Sequence, residues 1–499
     1  WGMIIEKHYK RPMDIEWALD GKEKQLYIIQ ARPETIHSVR DYSVIEEYKL
    51  EQNTAKVITV GQSVGNKIGA GVANRMMSVK DIAKFKPGQV LVTDMTDPDW
   101  EPIMKIASAI VTDKGGRTCH AAIVSRELGI PCVVGTENVS VKVKSGMKIT
   151  VNCADGDKGF VYDNLVPFKI NKTDIKNLKK PKTKVMMNIG APDLAFATSF
   201  IPNEGVGLAR EEFIINNAIK IHPLALINYP KNKDKKANKE IEKITFGYKD
   251  KKQFFIDKLA EGVATIAAAY YPKDVIVRLS DFKSNEYANL IGGLEYEPVE
   301  SNPMIGWRGA SRYYDPKYAP AFAMECQALK KVRDDMGLTN LKIMVPFCRT
   351  VDEGKKVLDI MAQNGLERGK NGLQVYVMAE IPTNIILAEK FAEIFDGFSI
   401  GSNDLTQLTL GIDRDAGQLK VAGVSNEKNE SVKWLIKHLI EVSKKTGTKV
   451  GICGQAPSDF PDFAQMLIEL GIDSISLNPD TVVKTTMAIS EKERELGIS

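Results

Sequence analysis

One histidine in this chain sits in surroundings that could make it a nucleophile. It is His120, within Gly115-Gly116-Arg117-Thr118-Cys119-His120-Ala121-Ala122-Ile123-Val124-Ser125-Arg126-Glu127-Leu128-Gly129-Ile130-Pro131. Two glycines allow a tight turn, Thr118 can cap, and the stretch from Ala121 to Leu128 reads as helix until Gly129-Ile130-Pro131 stops it. His120 then lies in the first helical turn, where the positive helix end disfavours imidazolium and keeps the ring neutral. The same end offers unpaired N–H groups to an anion, and Arg117 and the Thr118 hydroxyl add charge-assisted contacts. A neutral nucleophile beside an anion-holding pocket suits a transient phosphohistidine. Cys119 is adjacent in sequence, and neighbouring helix residues do not face each other, so a Cys–His pair is a poor reading. The other histidines (His8, His37, His222 and His438) lack such a lead-in.

A second set of reactive types is spread downstream: Arg210, Arg278, Arg308, Glu380, Asn403, Asp404, Arg414 and Cys453. Arginine forks grip phosphate and carboxylate oxygens. Two carboxylates, Glu380 and Asp404, are what magnesium takes when water and substrate oxygens fill the rest of its octahedron. Such a set fits a phosphorylated carboxylic acid bound with a divalent cation. Any one of these residues alone is more often a salt bridge than a ligand. Their shared position in the pattern makes the difference.

That pattern consists of eight short apolar runs separated by helical lengths, beginning at Val185, Gly205, Val275, Lys342, Gln374, Gly397, Val450 and Ser474. Alternating strand and helix predicts parallel β/α structure, and eight units predict a closed (β/α)8 barrel over 185–499. Functional residues of such a barrel gather at the C-terminal strand ends. Arg210, Arg278, Glu380, Asn403, Asp404 and Cys453 fall at or near those ends. Arg308 lies in the long connection after the third strand, and Arg414 follows the sixth. A lysine-rich insertion, 231–252, reads as a solvated helical surface.

Upstream, residues 57–163 form a Gly-rich unit with β-branched runs at Val57–Val60, Gln89–Thr93, Ala109–Thr112, Cys132–Val134 and Lys148–Asn152. Residues 164–184 read as a flexible connector, since Phe168 to Lys184 holds seven lysines and Pro181. Residues 37–56 read as a linker helix. Residues 1–36 predict a hairpin, Asp14–Ala18 and Leu26–Gln30 around Asp20-Gly21, too short to build its own core. The chain opens at Trp1, which is expected of a fragment with an upstream part missing.

The 499 residues are 43% hydrophobic and 26% charged with a net charge of +4. This is ordinary globular composition and too balanced for a nucleic-acid or anionic-membrane partner. No apolar stretch reaches the roughly 18 residues that span a bilayer. Six scattered cysteines without a C-x-x-C pair read as reduced cytoplasmic thiols.

The segment GGRTCHAAIVSRELGIPCVVG strongly resembles the mobile phosphohistidine domain of the phosphoenolpyruvate-utilising enzymes. GVGLAREEFI, VIVRLSDFKSNEY, NPMIGWRGASRY, VYVMAEIPTN, FSIGSNDLTQLTLGIDRD and GICGQAPSD resemble successive signatures of that family's barrel. MDIEWALDGKEKQLYIIQARPET resembles the closing hairpin of an ATP-grasp domain. The resemblance implies that His120 carries the phosphoryl group, with Arg117 and Thr118 supporting it. It implies that Arg210, Arg278, Arg308 and Arg414 hold phosphate and carboxylate, that Asn403 contacts substrate, and that Glu380 and Asp404 bind magnesium. Cys453 would then move the proton at the methyl or methylene carbon. Glu16 and Gln30 match nucleotide–magnesium ligands and Arg32 a polyphosphate contact.

Of the activities in the family, the lead-in to His120, SDFKSNEY and GICGQAPSD are most similar to the synthase branch, which makes phosphoenolpyruvate from pyruvate and ATP. Pyruvate phosphate dikinase and an enzyme I-like relay to a carrier protein are the alternatives. The resemblance further implies a cytoplasmic homodimer joined through the barrel and a histidine domain that swivels on its linkers. The fragment alone would not use ATP.

Overall fold

In the computed structural model all eight expected runs become parallel strands. They are β12 (Lys184–Ile189), β13 (Val206–Arg210), β14 (Val275–Arg278), β15 (Leu341–Val345), β16 (Val375–Ala379), β17 (Gly397–Ile400), β18 (Lys449–Ile452) and β19 (Ser474–Leu477). They pair in sequence order, and β19 closes on β12. The structure describes every residue except 24, 35–43, 52–54, 117–118, 157, 175–178, 413–425, 455, 480 and 499.

Strand alternation sorts the barrel's side chains into two sets. Ala209, Val277, Ile343, Val345, Val377 and Ile400 belong to the large core shared with the helices. Leu208, Ile276, Met344, Tyr376, Met378 and Cys453 form a separate buried cluster. Two residues beyond Leu208, Ile276 and Met378 stand Arg210, Arg278 and Glu380, so the same period carries them to the inner side at the C-terminal mouth.

The helix Lys251–Tyr270 packs on the outside, burying Phe254, Phe255, Leu259, Val263 and Ile266. Each such side chain contributes about 1.5–3 kcal/mol of transfer free energy. The lysine-rich insertion contains the helix Lys235–Ile244, capped by Asp234 and burying only Ala237 and Ile241. Three of its polar members are not solvated: Asn232, Thr245 and Lys251 are buried, and the Lys251 ammonium donates to the Tyr248 carbonyl at 3.0 Å.

The upstream unit holds a seven-stranded closed barrel of order β10-β4-β8-β7-β6-β5-β9. Its strands are β4 (Val57–Val64), β5 (Ile68–Arg75), β6 (Val90–Thr93), β7 (Ala109–Thr112), β8 (Cys132–Val134), β9 (Lys148–Asn152) and β10 (Lys158–Asp163). Val90, Val92, Val111, Val133, Ile149 and Val151 share one buried cluster. The helix His120–Leu128 packs through Ala121, Ala122 and Val124 into another, with Trp100, Ile103 and Met104.

Two segments differ from expectation. Residues 37–56 do not form a linker helix where they are described: β3 (Val44–Leu50) is a strand. The lysine-rich connector 164–184 is likewise partly strand, with β11 at Phe168–Asp174. β3 and β11 pair antiparallel over seven residues each, Val44 opposite Asp174 and Leu50 opposite Phe168. Charge explains the pairing of such polar segments, since Lys169 meets Glu51 and Lys172 meets Glu46, both at 2.9 Å. The N-terminal helix Gly2–Tyr9 was also not anticipated. The hairpin forms as expected, β1 (Met13–Leu19) with β2 (Leu26–Pro33). Its turn is tied by Asp20 Oδ1, which accepts from the Lys22 and Glu23 amides at 2.7 and 2.6 Å. Among the described residues, no helix is long and apolar enough to cross a membrane.

Candidate active sites on two barrels

His120 opens its helix, as its glycine lead-in requires. Gly115 has φ +107°, and a Cβ there would meet Cys119 Sγ at 2.7 Å, so only glycine fits. The ring's Nδ1 lies 3.0 Å from the Thr96 hydroxyl. Nε2 is buried and has no hydrogen-bond partner among the described residues. If Nδ1 carries the proton and donates it to Thr96, Nε2 keeps its lone pair for attack. Thr96 escaped sequence reasoning: it follows β6 by three residues and carries no motif of its own. Arg117 and Thr118 lie outside the described residues.

On the (β/α)8 barrel, the strand ends enclose a cavity of about 380 Å³. Arg210, Arg278, Arg308, Glu380, Asn403, Asp404 and Cys453 all line it, so seven of the eight expected residues converge. Arg414 lies outside the described residues. Arg308 is held by a bidentate pair with Asp281, Nε to Oδ1 at 2.9 Å and Nη2 to Oδ2 at 2.5 Å. Its guanidinium also stacks 4.0 Å from the Phe347 ring centroid. Arg278 is fixed by Glu212, Nη2 to Oε1 at 3.0 Å, and approaches Asp281 at 3.4 Å. Arg278 Nε stays buried without a partner among the described residues and is free to meet a ligand oxygen. Glu212 and Asp281 were missed because acids two or three residues past a strand end look like ordinary surface.

Burial alone would raise the Asp281 carboxyl, but Arg308 and Arg278 beside it hold it below the usual carboxylate range. Glu380 goes the other way. Burial, then Asp404 and Asp281, push it up to about 8 against the pull of Arg308 and Arg278. Its Oε1 accepts from the Phe347 amide at 2.7 Å, which fixes the side chain. Burial likewise raises the Cys453 thiol, opposed by Ser399, Arg210 and Arg278, and its Sγ lies 3.6 Å from the Ile400 carbonyl. A thiol kept protonated beside cations is suited to donating a proton.

Two carboxylates lining one cavity, one of them strained by burial against its neighbour, are a hard-oxygen donor set that a divalent cation would relieve. Magnesium therefore fits Glu380 and Asp404. Among the described residues, no three His, Cys, Asp or Glu side chains gather as a protein-only metal cage.

On the N-terminal hairpin, Glu16 pairs directly with Gln30, and Arg32 lies opposite Asp14. Cross-strand partners and residues two apart share a face, so Glu16, Gln30 and Arg32 stand together. Arg32 donates from Nε to Asp14 at 2.8 Å.

Residues 169–494 match the family model described as the PEP-binding domain of PEP-utilising enzymes. The chain belongs to the PEP-utilising enzyme family. Residues 85–156 match the mobile domain of PEP-utilising enzymes, and residues 1–52 match the AMP/ATP-binding domain of pyruvate phosphate dikinase. The chain is 54% identical to a phosphoenolpyruvate synthase of Aquifex aeolicus over all of its own length and 64% of that protein. It is 56% identical to the Synechocystis enzyme of the same name, covering 100% of this chain and 61% of that one. For the Escherichia coli enzyme the figures are 54%, 98% and 61%. The chain thus spans less than two thirds of the length of these relatives.

Proposed function

We propose that this chain is the phosphohistidine and pyruvate-binding part of a phosphoenolpyruvate synthase, which converts ATP, pyruvate and water to phosphoenolpyruvate, AMP and phosphate. The carrying observation is the convergence of three arginines, two carboxylates, Asn403 and Cys453 on one barrel-mouth cavity. The names of the similar proteins support the same reading.

In the direction of phosphoenolpyruvate breakdown, His120 Nε2 attacks phosphorus and the P–O bond to the enol oxygen breaks. The departing electron pair makes pyruvate enolate. Cys453 then gives its proton to the methylene carbon and recovers one from solvent. In synthesis, each step runs backwards: the methyl proton goes to Cys453 and the enolate oxygen takes the phosphoryl group from His120. Arg278 and Arg308, held by Glu212 and Asp281, are preorganised to meet phosphate and carboxylate oxygens. Arg210 and Arg414 add to that grip, and Asn403 orients the substrate. Arg117 and Thr118 steady the phosphorylated ring. Magnesium, held by Glu380 and Asp404, would supply Lewis-acid stabilisation of the developing enolate charge.

Glu16, Gln30 and Arg32 would contact nucleotide, with ATP use belonging to the longer protein. The histidine domain would travel between that nucleotide site and the barrel mouth. The protein would be a cytoplasmic homodimer.

The test is labelling with phosphoenolpyruvate radioactive at phosphorus, in the presence of magnesium. The parent should carry label on His120 and release it on adding pyruvate, and His120→Ala should carry none. Release that depends on an added carrier protein would instead support a phosphorelay. Equal labelling of the parent and His120→Ala would end the proposal.

A further inference from the structure

Behind the arginines lies a buried carboxyl pair that the proposed reaction does not use. Glu211 follows β13 directly, and Glu325 belongs to the helix Ala319–Lys330. Both side chains are essentially without solvent exposure, at 0% and 1%. The Glu325 carboxylate accepts from the Ser280 amide at 3.0 Å and the Ser280 hydroxyl at 2.7 Å. That hydroxyl lies 3.0 Å from Tyr287 Oη, which is 2.5 Å from Tyr318 Oη. The donors therefore run inward along a relay, Tyr318 to Tyr287 to Ser280 to Glu325.

Glu211 has no comparable support. Neither of its oxygens receives an N–H or O–H from any described residue, and the polar group within its reach is the Glu325 carboxyl. Two buried carboxylates in contact cannot both ionise, because the repulsion in a low-dielectric interior is unaffordable. A proton between them resolves both problems. It belongs on Glu211, which lacks donors, and it points at Glu325, which is already an acceptor for two.

The groups facing the pair add to its acidity problem. Glu212, Arg278, Tyr313 and Cys326 face Glu211, and Glu212, Tyr287, Tyr313, Tyr318 and Cys326 face Glu325. The sole cation among them, Arg278, is already engaged by Glu212 and Asp281. Burial raises Glu211 far above the ordinary carboxyl range and pushes Glu325 up to about 7.

We propose that Glu211 and Glu325 share one proton, and that this neutralised pair is a positioning device for the arginines of the barrel mouth. The path is short. Ser280 is clamped by Glu325 through its amide, and its carbonyl accepts from Tyr313 Oη at 2.8 Å. The next residue, Asp281, holds Arg308. On the other side Glu212, next to Glu211, holds both Arg278 and the Asp281 amide. Loss of the shared proton drives Glu211 from Glu325 and pulls both arginine anchors out of register. The consequence for phosphoenolpyruvate rests on the proposed function, whereas the shared proton does not.

The sign follows from linkage. The folded pair holds a proton that the unfolded chain releases above an ordinary carboxyl pKa, so its favourable geometry is present at low pH and lost as pH rises through the folded value.

Glu211→Gln replaces the proton with an amide N–H that still donates to Glu325 and cannot titrate. Infrared spectra of Glu380→Gln, from which the other raised carboxyl is gone, should contain the C=O stretch of a buried protonated carboxyl, shifting in heavy water and absent once Glu211→Gln is added. Calorimetric binding of phosphoenolpyruvate with magnesium should weaken on the order of tenfold over the pH interval in which that band fades. Glu211→Gln should lose this part of the pH dependence and keep only what Glu380 and the ligand phosphate impose. Absence of the band from Glu380→Gln overturns the shared proton, even if the double variant fails to fold. A band that survives wherever the chain stays folded, or the same pH profile in both proteins, overturns the positioning role. Failure to bind phosphoenolpyruvate at any pH would instead sink the functional reading, with the band still judging the proton.

Discussion

His120 keeps a single side-chain hydrogen bond among the described residues, to Thr96, and presents a bare nitrogen from the start of a helix. The barrel mouth is the reverse: Arg278, Arg308, Glu212, Asp281, Glu380 and Asp404 are crowded into one polar knot, most of it buried. A carrier has to let its cargo go, so each strong contact to the phosphoryl group would slow the hand-over. A site that stabilises an enolate needs its charges fixed beforehand, because reorganising them during the reaction would cost what they contribute. The difference teaches that, among the described residues, the two halves of one proposed reaction are built to different rules, few partners on the histidine ring and many at the acceptor.

The sharpest way to break this contrast is Glu380→Gln. If the dense site works through preorganised charge, pyruvate formation should fall about 10³-fold and lose its magnesium dependence, as followed by coupled assay. A fall of less than about threefold would show the knot to be structural. Cys453→Ala should come next, with exchange of pyruvate methyl protons into deuterated water down about 10²-fold. His120 labelling by phosphoenolpyruvate should survive in that variant, since phosphoryl transfer precedes protonation. Loss of both together would place Cys453 in a different role. Thr96→Val should have the smallest effect, slowing His120 labelling up to about tenfold through a freer ring, with substrate affinity unchanged. A complete loss would mean that the carrier site is less sparse than it looks.

The larger barrel was legible because its strands are buried on both faces and announce themselves as apolar runs. Its site was legible for the same reason, since strand ends locate the residues that the chemistry needs. The smaller barrel was read incompletely. β5 (IGAGVANR) alternates glycine with its few apolar side chains because the backbone of its neighbours comes close: a Cβ on Gly69 would lie 2.2 Å from the Ser108 carbonyl oxygen, and one on Gly71 2.4 Å from that of Gly88. Strand propensity was given up there for close approach. β3 and β11 were hidden for another reason. Each is too polar to show a buried face, and the charges that pair across them, Glu51 with Lys169 and Glu46 with Lys172, lie far apart in the sequence. Glu212 and Asp281 act through other side chains, so spacing alone gave no sign of them.

The ribbon of β3 and β11 has one more implication. Glu51 donates its amide to the Pro167 carbonyl at 3.0 Å, and Asp163 donates to Lys56 at 2.9 Å, so the chain leaves the seven-stranded barrel beside the point where it arrived. A segment whose two ends emerge side by side is a cassette. It can be duplicated, exchanged between related proteins or produced alone with a minimal scar, and a two-ply stalk carries both of its ends.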